Sequence, residues 1–272
     1  MDFLEFTHRK EIYTYKNTIL GYTIVVDFAG KGKITYPDGV IVNDETTSNL
    51  TKNENFVVLE CVYRLLKLGY KPECIELEPK WEAPHDIGGG GKADVLVKDN
   101  AGESFLLIEC KTWGKEFDNY WKKTEQDGDQ LFFYAVQKRS TKYLCMYASN
   151  WDNDELVRKS NIISLKDNTA TLESFDEPIS FEKANDKSSL FAAWNITYGK
   201  YSFKNGIFED TCIPYLIEEK GRDISNITEI GHDDIQKKYH EFTTILRQHN
   251  VSGRENAFDK LVNLFLAKIV DE

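Results

Sequence analysis

The sequence predicts an α/β protein in which helices flank a central mixed β-sheet, with a further helical segment at the C-terminal end. Two observations support this prediction. From residue 53 onwards, the pattern of apolar residues indicates a helix, three strands, a second helix and another strand, an order typical of a sheet covered by helices. The chain has 272 residues, of which 41% are hydrophobic, and can therefore bury one sizeable core and a smaller second unit.

The first 50 residues have the composition of short strands and turns. Residues 19–30 and 33–44 are rich in β-branched and aromatic residues, and glycines separate the two runs. We therefore expect a β-rich N-terminal segment.

A helix is predicted from Asn53 to the neighbourhood of Gly69. Its apolar residues recur at spacings of three and four, and glycine commonly lies just beyond the end of a helix. These apolar residues are Phe56, Val57, Leu59, Val62, Leu65 and Leu66.

Three strands are predicted next, at residues 74–82, 93–97 and 105–113. A glycine-rich tract at residues 85–92 precedes the second strand, and we expect it to be flexible. Residues 99–104 (DNAGES) give a turn signal between the second and third strands, which predicts a β-hairpin.

The remaining elements of the first domain are a helix and several strands. Residues 125–139 have helical periodicity, and residues 142–149 are typical of a buried strand. Shorter strands are predicted at residues 161–166 and 169–175. We place the end of this domain at residue 190.

The C-terminal part has two different patterns. Residues 191–230 are rich in Asn, Gly and Tyr and predict an irregular connector. Residues 231–272 predict two amphipathic helices that are interrupted at residues 250–253.

Composition narrows the class of protein. No apolar run approaches the roughly 20 residues of a membrane helix, and the N-terminus lacks the order of a signal peptide, so we expect a soluble cytoplasmic protein. The five cysteines are widely scattered, which favours reduced, mostly buried thiols. The net charge of −11 argues against a protein that coats nucleic acid non-specifically, although seven basic residues occur between positions 111 and 142.

The predicted hairpin brings three charged residues to one face. Opposite residues of a hairpin have numbers with a constant sum, and with a sum of 203 Asp94 faces Glu109. Lys111 shares that face because side-chain direction alternates with period two. Two carboxylates and one ammonium thus meet at the ends of apolar strands, where charges cost free energy unless they are paired or bound to a metal.

These groups suit the hydrolysis of phosphodiesters. Hard oxygen ligands such as Asp94 and Glu109 bind Mg²⁺, which neutralises a phosphate and makes a bound water more acidic. Lys111 would orient or deprotonate that water. The backbone carbonyl of Cys110 is a further candidate metal ligand, and its thiol needs no chemical role.

The same residues resemble the motif of the PD-(D/E)XK nuclease superfamily, in which an acidic residue on one strand precedes Glu-x-Lys on the next. Asp94 and the tripeptide at residues 109–111 match it. Over about residues 50–150 the chain is similar to the N-terminal nuclease domain of type I restriction enzyme R subunits and of related fused restriction-modification proteins. In that family a carboxylate-bearing helix ends in Gly-Tyr, here Gly69-Tyr70, and a later helix carries a Gln-x-x-x-Tyr motif, here residues 130–134.

This resemblance implies a restriction-endonuclease-like core and a Mg²⁺-dependent endonuclease that acts on double-stranded DNA, with Mn²⁺ as a substitute metal. Glu54 and Glu60 are both candidates for the helix carboxylate, and Glu54 fits the family spacing better, which makes it a further metal ligand. Gln130 and Tyr134 share one helical face and would position DNA or the metal ligands. Glu78 also recurs in such domains, and we assign it no role.

A second resemblance covers about residues 236–272, which are similar to the helical lead-in of an N6-adenine DNA methyltransferase domain. The Asn-Pro-Pro-aromatic and glycine-rich cofactor motifs of that family are absent, so we expect no methylation by this chain. We expect the polypeptide to continue into a methyltransferase or specificity region, or to act with other restriction subunits.

Two alternative interpretations remain. The acidic net charge suggests a catalytically silent DNA-binding module on a nuclease-like fold, and the second resemblance suggests a regulatory domain for a downstream methyltransferase. Aromatic residues after Lys111 would stack on bases if this segment lies in a DNA channel, or would fill the core otherwise. They are Trp113, Phe117, Tyr120 and Trp121.

Overall fold

The structure is a computed structural model that describes residues 4–18, 20–80, 92–153, 155–209 and 212–217, followed by 236–237, 239–241, 243–244 and 263. The chain divides into two compact units, Met1–Ile217 and Glu218–Glu272. In the second unit the described residues between 236 and 244, and residue 263, are helical, as predicted. The interruption predicted at residues 250–253, and the glycine-rich tract except for Lys92, lie outside the described residues.

A four-stranded antiparallel sheet confirms the β-rich N-terminal segment. In spatial order its strands are β1 (Thr7–Arg9), β2 (Ile12–Asn17), β3 (Tyr22–Asp27) and β4 (Lys33–Thr35). Alternate residues of β3, namely Tyr22, Ile24 and Val26, are buried. One face of this sheet therefore packs against the hydrophobic core.

A seven-stranded mixed sheet forms the centre of the first unit and confirms the predicted α/β class. Its strands are β5 (Ile41–Val42), β6 (Ile75–Leu77), β7 (Val95–Lys98), β8 (Ser104–Cys110), β9 (Tyr143–Asp152), β10 (Glu155–Ser164) and β11 (Phe203–Lys204). Their spatial order is β11-β10-β9-β8-β7-β6-β5. Strands β5 and β6 are parallel, as are β8 and β9, whereas the other neighbouring pairs are antiparallel.

Helices cover both faces of this sheet. The α-helices of the described residues are α1 (Asn53–Lys67), α2 (Lys115–Asp127), α3 (Asp129–Gln137), α4 (Thr169–Glu173) and α5 (Lys187–Ala192). Helix α1 packs in one core with Val95, Val97 and Ile108, while α2 and α3 pack in a second core with Leu96 and Leu107. Because both faces of β8 are covered, all seven of its residues are buried.

The β7–β8 hairpin has the predicted register. Val95 pairs with Ile108, Leu96 with Leu107 and Val97 with Leu106, so each pair sums to 203. A β-bulge follows Val97, where the register shifts. Asp94 and Glu109, one step further from the turn, are therefore neighbours.

Two sequence predictions of local structure are wrong. The helix predicted at residues 125–139 is two helices, because Gly128 adopts φ +80° and ends α2 before α3 begins. The strand predicted at residues 169–175 is helix α4, because the side chain of Asn168 accepts a hydrogen bond from the backbone N–H of Thr171 and caps the helix.

The first unit extends to Ile217, beyond the predicted domain end at residue 190. Part of the predicted connector has regular structure, namely the last two residues of α5, a π-helical turn at Ala193–Thr197, strand β11 and a 3₁₀ turn at Gly206–Phe208. The side chains of Trp194 and Phe208 are buried in the two cores. These large apolar residues hold the segment in the unit although it lacks periodicity.

Two further expectations concern membranes and thiols. In the part of the chain that the structure describes, no helix is both long and apolar enough to cross a bilayer. All five cysteines are free thiols, and four of them are buried.

Gly128→Ala is expected to destabilise the protein more than Gly102→Ala. Both glycines have a left-handed φ, +80° and +83°, so each alanine carries a conformational cost of about 1–2 kcal/mol. At Gly128, unlike Gly102, the added Cβ would also lie 2.9 Å from the Cβ of Phe132, and such overpacking costs roughly 1–3 kcal/mol more. Denaturant titration of both variants measures the difference, and equal losses would contradict this close packing.

Candidate active site

Four charged residues meet where β8 ends and β7 begins. The ammonium of Lys111 lies 2.7 Å from Oε1 of Glu109 and 2.9 Å from Oε1 of Glu54. Asp94 lies beside them, since its Oδ2 accepts a hydrogen bond of 2.7 Å from the backbone N–H of Cys110. We call Glu54, Asp94, Glu109 and Lys111 the Lys111 cluster.

Backbone hydrogen bonds place the members of the cluster. The carbonyl of Asp94 accepts a bond of 3.0 Å from the N–H of Glu78, which ties it to the end of β6. The N–H of Lys111 donates to the carbonyl of Tyr147 at 2.9 Å and extends the β8–β9 pairing by one residue. Glu54 belongs to the first turn of α1. Strands β6 and β9 and helix α1 therefore hold the cluster in place.

Burial makes the negative charges of the cluster costly. Burial raises the pKa of Glu109 to about 7, although Lys111 opposes this shift. Burial, followed by the charge of Glu109, raises the pKa of Asp94 well above its usual range. Burial alone would lower the pKa of Lys111, but Glu109 and Asp94 outweigh it and raise that pKa. Lys111 is therefore an ammonium at neutral pH, and three carboxylic groups share this single cation.

The cluster has an unsatisfied oxygen that fits a divalent cation. Oε2 of Glu109 is buried and accepts no hydrogen bond, which is costly for a carboxylate. The candidate metal ligands of the cluster are the oxygens of its three carboxylic groups, and Mg²⁺ prefers oxygen ligands. Among the described residues, no three His, Cys, Asp or Glu side chains are already arranged as metal ligands, and Lys111 instead bridges Glu54 and Glu109. A cation would therefore compete with Lys111 for these carboxylates.

The two candidates for the helix carboxylate have different partners in the structure. Glu54, which fits the family spacing better, contacts Lys111, and its role as a metal ligand stays a prediction. Glu60 instead accepts hydrogen bonds from the hydroxyl of Tyr147 at 2.6 Å and from Nε of Arg158 at 2.8 Å. One oxygen of Glu60 is thus engaged in an ion pair and the other in a hydrogen bond.

The Gln-x-x-x-Tyr motif reaches the cluster through its tyrosine. Tyr134 is buried, and burial together with the charges of Glu109 and Asp94 raises the pKa of its phenol. Gln130 is exposed in the first turn of α3. Its neighbour Asp129 is close enough to raise the pKa of Glu109. Sequence reasoning missed Asp129, and its only signal was a position next to the motif at the start of a helix.

Most of the aromatic residues after Lys111 are structural. The ring of Tyr120 lies 4.7 Å from the ammonium of Lys111, so its face stabilises that charge. Phe117 is buried, and Trp121 packs against Trp194. Trp113, in contrast, is 40% exposed.

Glu78 and Cys110 are buried residues whose backbone N–H groups donate hydrogen bonds to Asp94. Glu78 is buried, and its Oε1 accepts a hydrogen bond of 2.6 Å from the backbone N–H of Thr47. The thiol of Cys110 is hydrogen-bonded with Cys61, and burial raises its pKa. This thiol lies in the core with α1, on the face of β8 opposite to Glu109. It is therefore unsuited to act as a nucleophile, whereas the role of the Cys110 carbonyl as a metal ligand stays a prediction.

Comparison with known proteins assigns neither a family nor a function to this chain. A scan against models of protein families gives no match, and a search of curated proteins gives no significantly similar sequence. The function must therefore be argued from the residues and geometry of this chain.

The stability of the metal-free protein is expected to fall as the pH rises between the ordinary pKa of a glutamate, 4.5, and the value of about 7 for Glu109. In this window the folded protein binds more protons than the unfolded chain, so raising the pH favours unfolding. The loss should be roughly 1–3 kcal/mol and should be reduced in Glu109→Gln.

Chemical denaturation in the presence of a chelator, repeated across this pH range, measures the effect. Glu76→Gln is the matched control, because Glu76 pairs with Lys98 at 2.6 Å and its pKa is lowered. An identical pH dependence in wild type and Glu109→Gln would show that Glu109 is not the group responsible.

Proposed function

We propose that this chain is a Mg²⁺-dependent DNA endonuclease of the restriction type, which hydrolyses phosphodiester bonds. The observation that carries the proposal is the convergence of Glu54, Asp94, Glu109 and Lys111 at one end of the β7–β8 hairpin. Asp94 directly precedes β7, Glu109 lies in β8 and Lys111 directly follows it, whereas Glu54 comes from α1. The unsatisfied oxygen of Glu109 supports a bound cation at this place.

Each residue has a distinct role in this proposal. Asp94, Glu109, Glu54 and the carbonyl of Cys110 would hold Mg²⁺, which supplies charge neutralisation and a more acidic bound water. The raised pKa of Lys111 keeps it protonated, so it orients the attacking water and attracts the phosphate rather than removing a proton. The Tyr120 ring beside it restricts the position of the ammonium.

The proposed substrate is double-stranded DNA, which Gln130 would contact from the exposed first turn of α3. Tyr134 is buried beside the carboxylates and would keep them in place. The resemblance of the motifs to restriction-modification proteins supports a partner of that kind, either a methyltransferase or specificity region of the same polypeptide or other restriction subunits.

A catalytically silent DNA-binding or regulatory module is the second candidate function. One observation favours it: Lys111 already bridges Glu54 and Glu109, so part of the negative charge is neutralised within the protein. In this case the cluster would serve stability alone.

Asp94→Asn and Lys111→Met are each expected to reduce Mg²⁺-dependent cleavage of plasmid DNA by at least about 100-fold. The first change removes a metal ligand, and the second removes the cation that orients the water. Glu76→Gln, which alters a carboxylate on β6 that pairs with Lys98, should cleave like wild type. Circular dichroism checks that each variant is folded, and undiminished cleavage by either cluster variant would refute the assignment.

Calorimetric titration with Mn²⁺ separates the two candidate functions. An endonuclease should bind Mn²⁺, and Asp94→Asn and Glu109→Gln should each weaken that binding by at least about tenfold, because each removes an anionic oxygen ligand. Glu76→Gln should bind normally. Wild-type protein that binds DNA but no Mn²⁺ would instead support the silent module.

A further inference from the structure

A groove of about 480 Å³ opens beside the Lys111 cluster. Thr112, which directly follows Lys111, and Asn53, which directly precedes Glu54, are among its lining residues. The groove and the cluster therefore share the end of β8 and the start of α1. We call it the β9 groove, after the strand that forms one of its sides.

The β9 groove exists because β8 is shorter than its neighbour. Strand β8 ends at Cys110, opposite Tyr147, and the chain turns away through Gly114 at φ +92°. Strand β9 continues to Asp152 in a long hairpin with β10. The residues of β9 beyond Tyr147 are thus left without β8 beside them, and Ser149, Asn150 and Trp151 line the opening.

Three exposed aromatic rings border this groove. Phe56 of α1 is 38% exposed, Trp113 is 40% exposed and Trp151 of β9 is 43% exposed. They come from a helix, a strand and the turn after β8, so their convergence differs from isolated apolar residues on a surface. Flat aromatic surfaces of this kind stack on nucleobases, whatever the base, and amide groups such as those of Asn53 and Asn150 can hydrogen-bond to base edges.

The distribution of charge also fits a nucleotide. The charged residue among those that line the groove is Glu60, which is buried and already bonded to Tyr147 and Arg158, so the groove itself suits a neutral base. The charge of Lys111, close by, is already balanced by Glu54 and Glu109. The N-terminus of α1 has no side-chain cap, although Glu54 lies in its first turn, and helix N-termini attract phosphate groups.

We propose that the β9 groove binds an unpaired nucleobase of the DNA strand whose phosphate lies at Lys111. This inference rests on the proposed nuclease function and narrows its substrate to DNA with a frayed, splayed or flipped nucleotide beside the cleavage position. A fully paired base is stacked within the duplex and cannot enter the β9 groove. The enzyme therefore prefers DNA with unpaired nucleotides.

The test compares two DNA hairpins that have the same duplex sequence, one with a blunt end and one with short splayed single strands. Their dissociation constants are measured by fluorescence anisotropy with the full chain, with Ca²⁺ in place of Mg²⁺. The splayed hairpin should bind roughly tenfold more tightly, as expected for stacking of one base. Trp113→Ala and Trp151→Ala should each abolish most of this preference, and Trp113→Phe should retain it.

Phe175→Ala is the matched control, because Phe175 is 41% exposed but does not line the groove. This variant should keep the full preference. Equal affinity for the two hairpins, or a preference that survives in both alanine variants of the groove, would overturn the inference. Cleavage assays with Mg²⁺ distinguish the two proposals. Cleavage without a preference for the splayed hairpin would overturn only the nucleobase site in the β9 groove. A preference for the splayed hairpin without cleavage would overturn only the nuclease function.

Discussion

The ammonium of Lys111 is the charge on which the geometry of the site depends. Asp94 and Glu109 are carboxylic groups buried at the ends of apolar strands, and burial raises the pKa of both although Lys111 opposes the shift. Lys111 directly follows β8 and binds both Glu109 of that strand and Glu54 of α1. The cost of its own burial is offset by these contacts and by the face of Tyr120. One side chain thus links a strand pair, a helix and the segment after β8.

The scaffold explains why such a charged group can be held in place. Every residue of β8 is buried between two helical layers, so the strand has little freedom to slide. The face towards α1 carries Ile108 and Cys110, and the face towards α2 and α3 carries Leu107 and Glu109. Tyr134 is buried on the charged face, close enough for Glu109 and Asp94 to raise the pKa of its phenol.

The sequence predicts the structure best where a short repeat of side-chain directions along a strand or helix determines which face each residue occupies. Alternation with period two placed Asp94, Glu109 and Lys111 on one face, and the register of the hairpin agrees with the predicted sum. Helix α1 was recognised from its apolar spacing. Helix α2 was not recognised, because only Phe117 and Thr124 of its 13 residues are buried and its apolar pattern is weak. The contribution of Asp129 was also missed, since it depends on how Gly128 turns α3 towards the sheet.

Long-range packing accounts for the remaining differences between prediction and structure. Trp194 and Phe208 belong to short apolar runs without a helical or strand period, and nothing local in the sequence indicates that two cores need them. The groove beside the cluster likewise arises from the unequal lengths of β8 and β9, which becomes visible only when their pairing is known.

The β-bulge after Val97 has a consequence for how this hairpin can change during evolution. It lies between the turn and the Asp94–Glu109 pair, and at this point the pairing already shifts by one residue. Insertions and deletions on the turn side of the bulge can be absorbed there, because an irregular position accommodates an extra residue with little loss. A single insertion on the other side would turn one strand over and separate the two carboxylates. The length of the hairpin tip can therefore vary, whereas the half that bears Asp94 and Glu109 does not tolerate a single insertion.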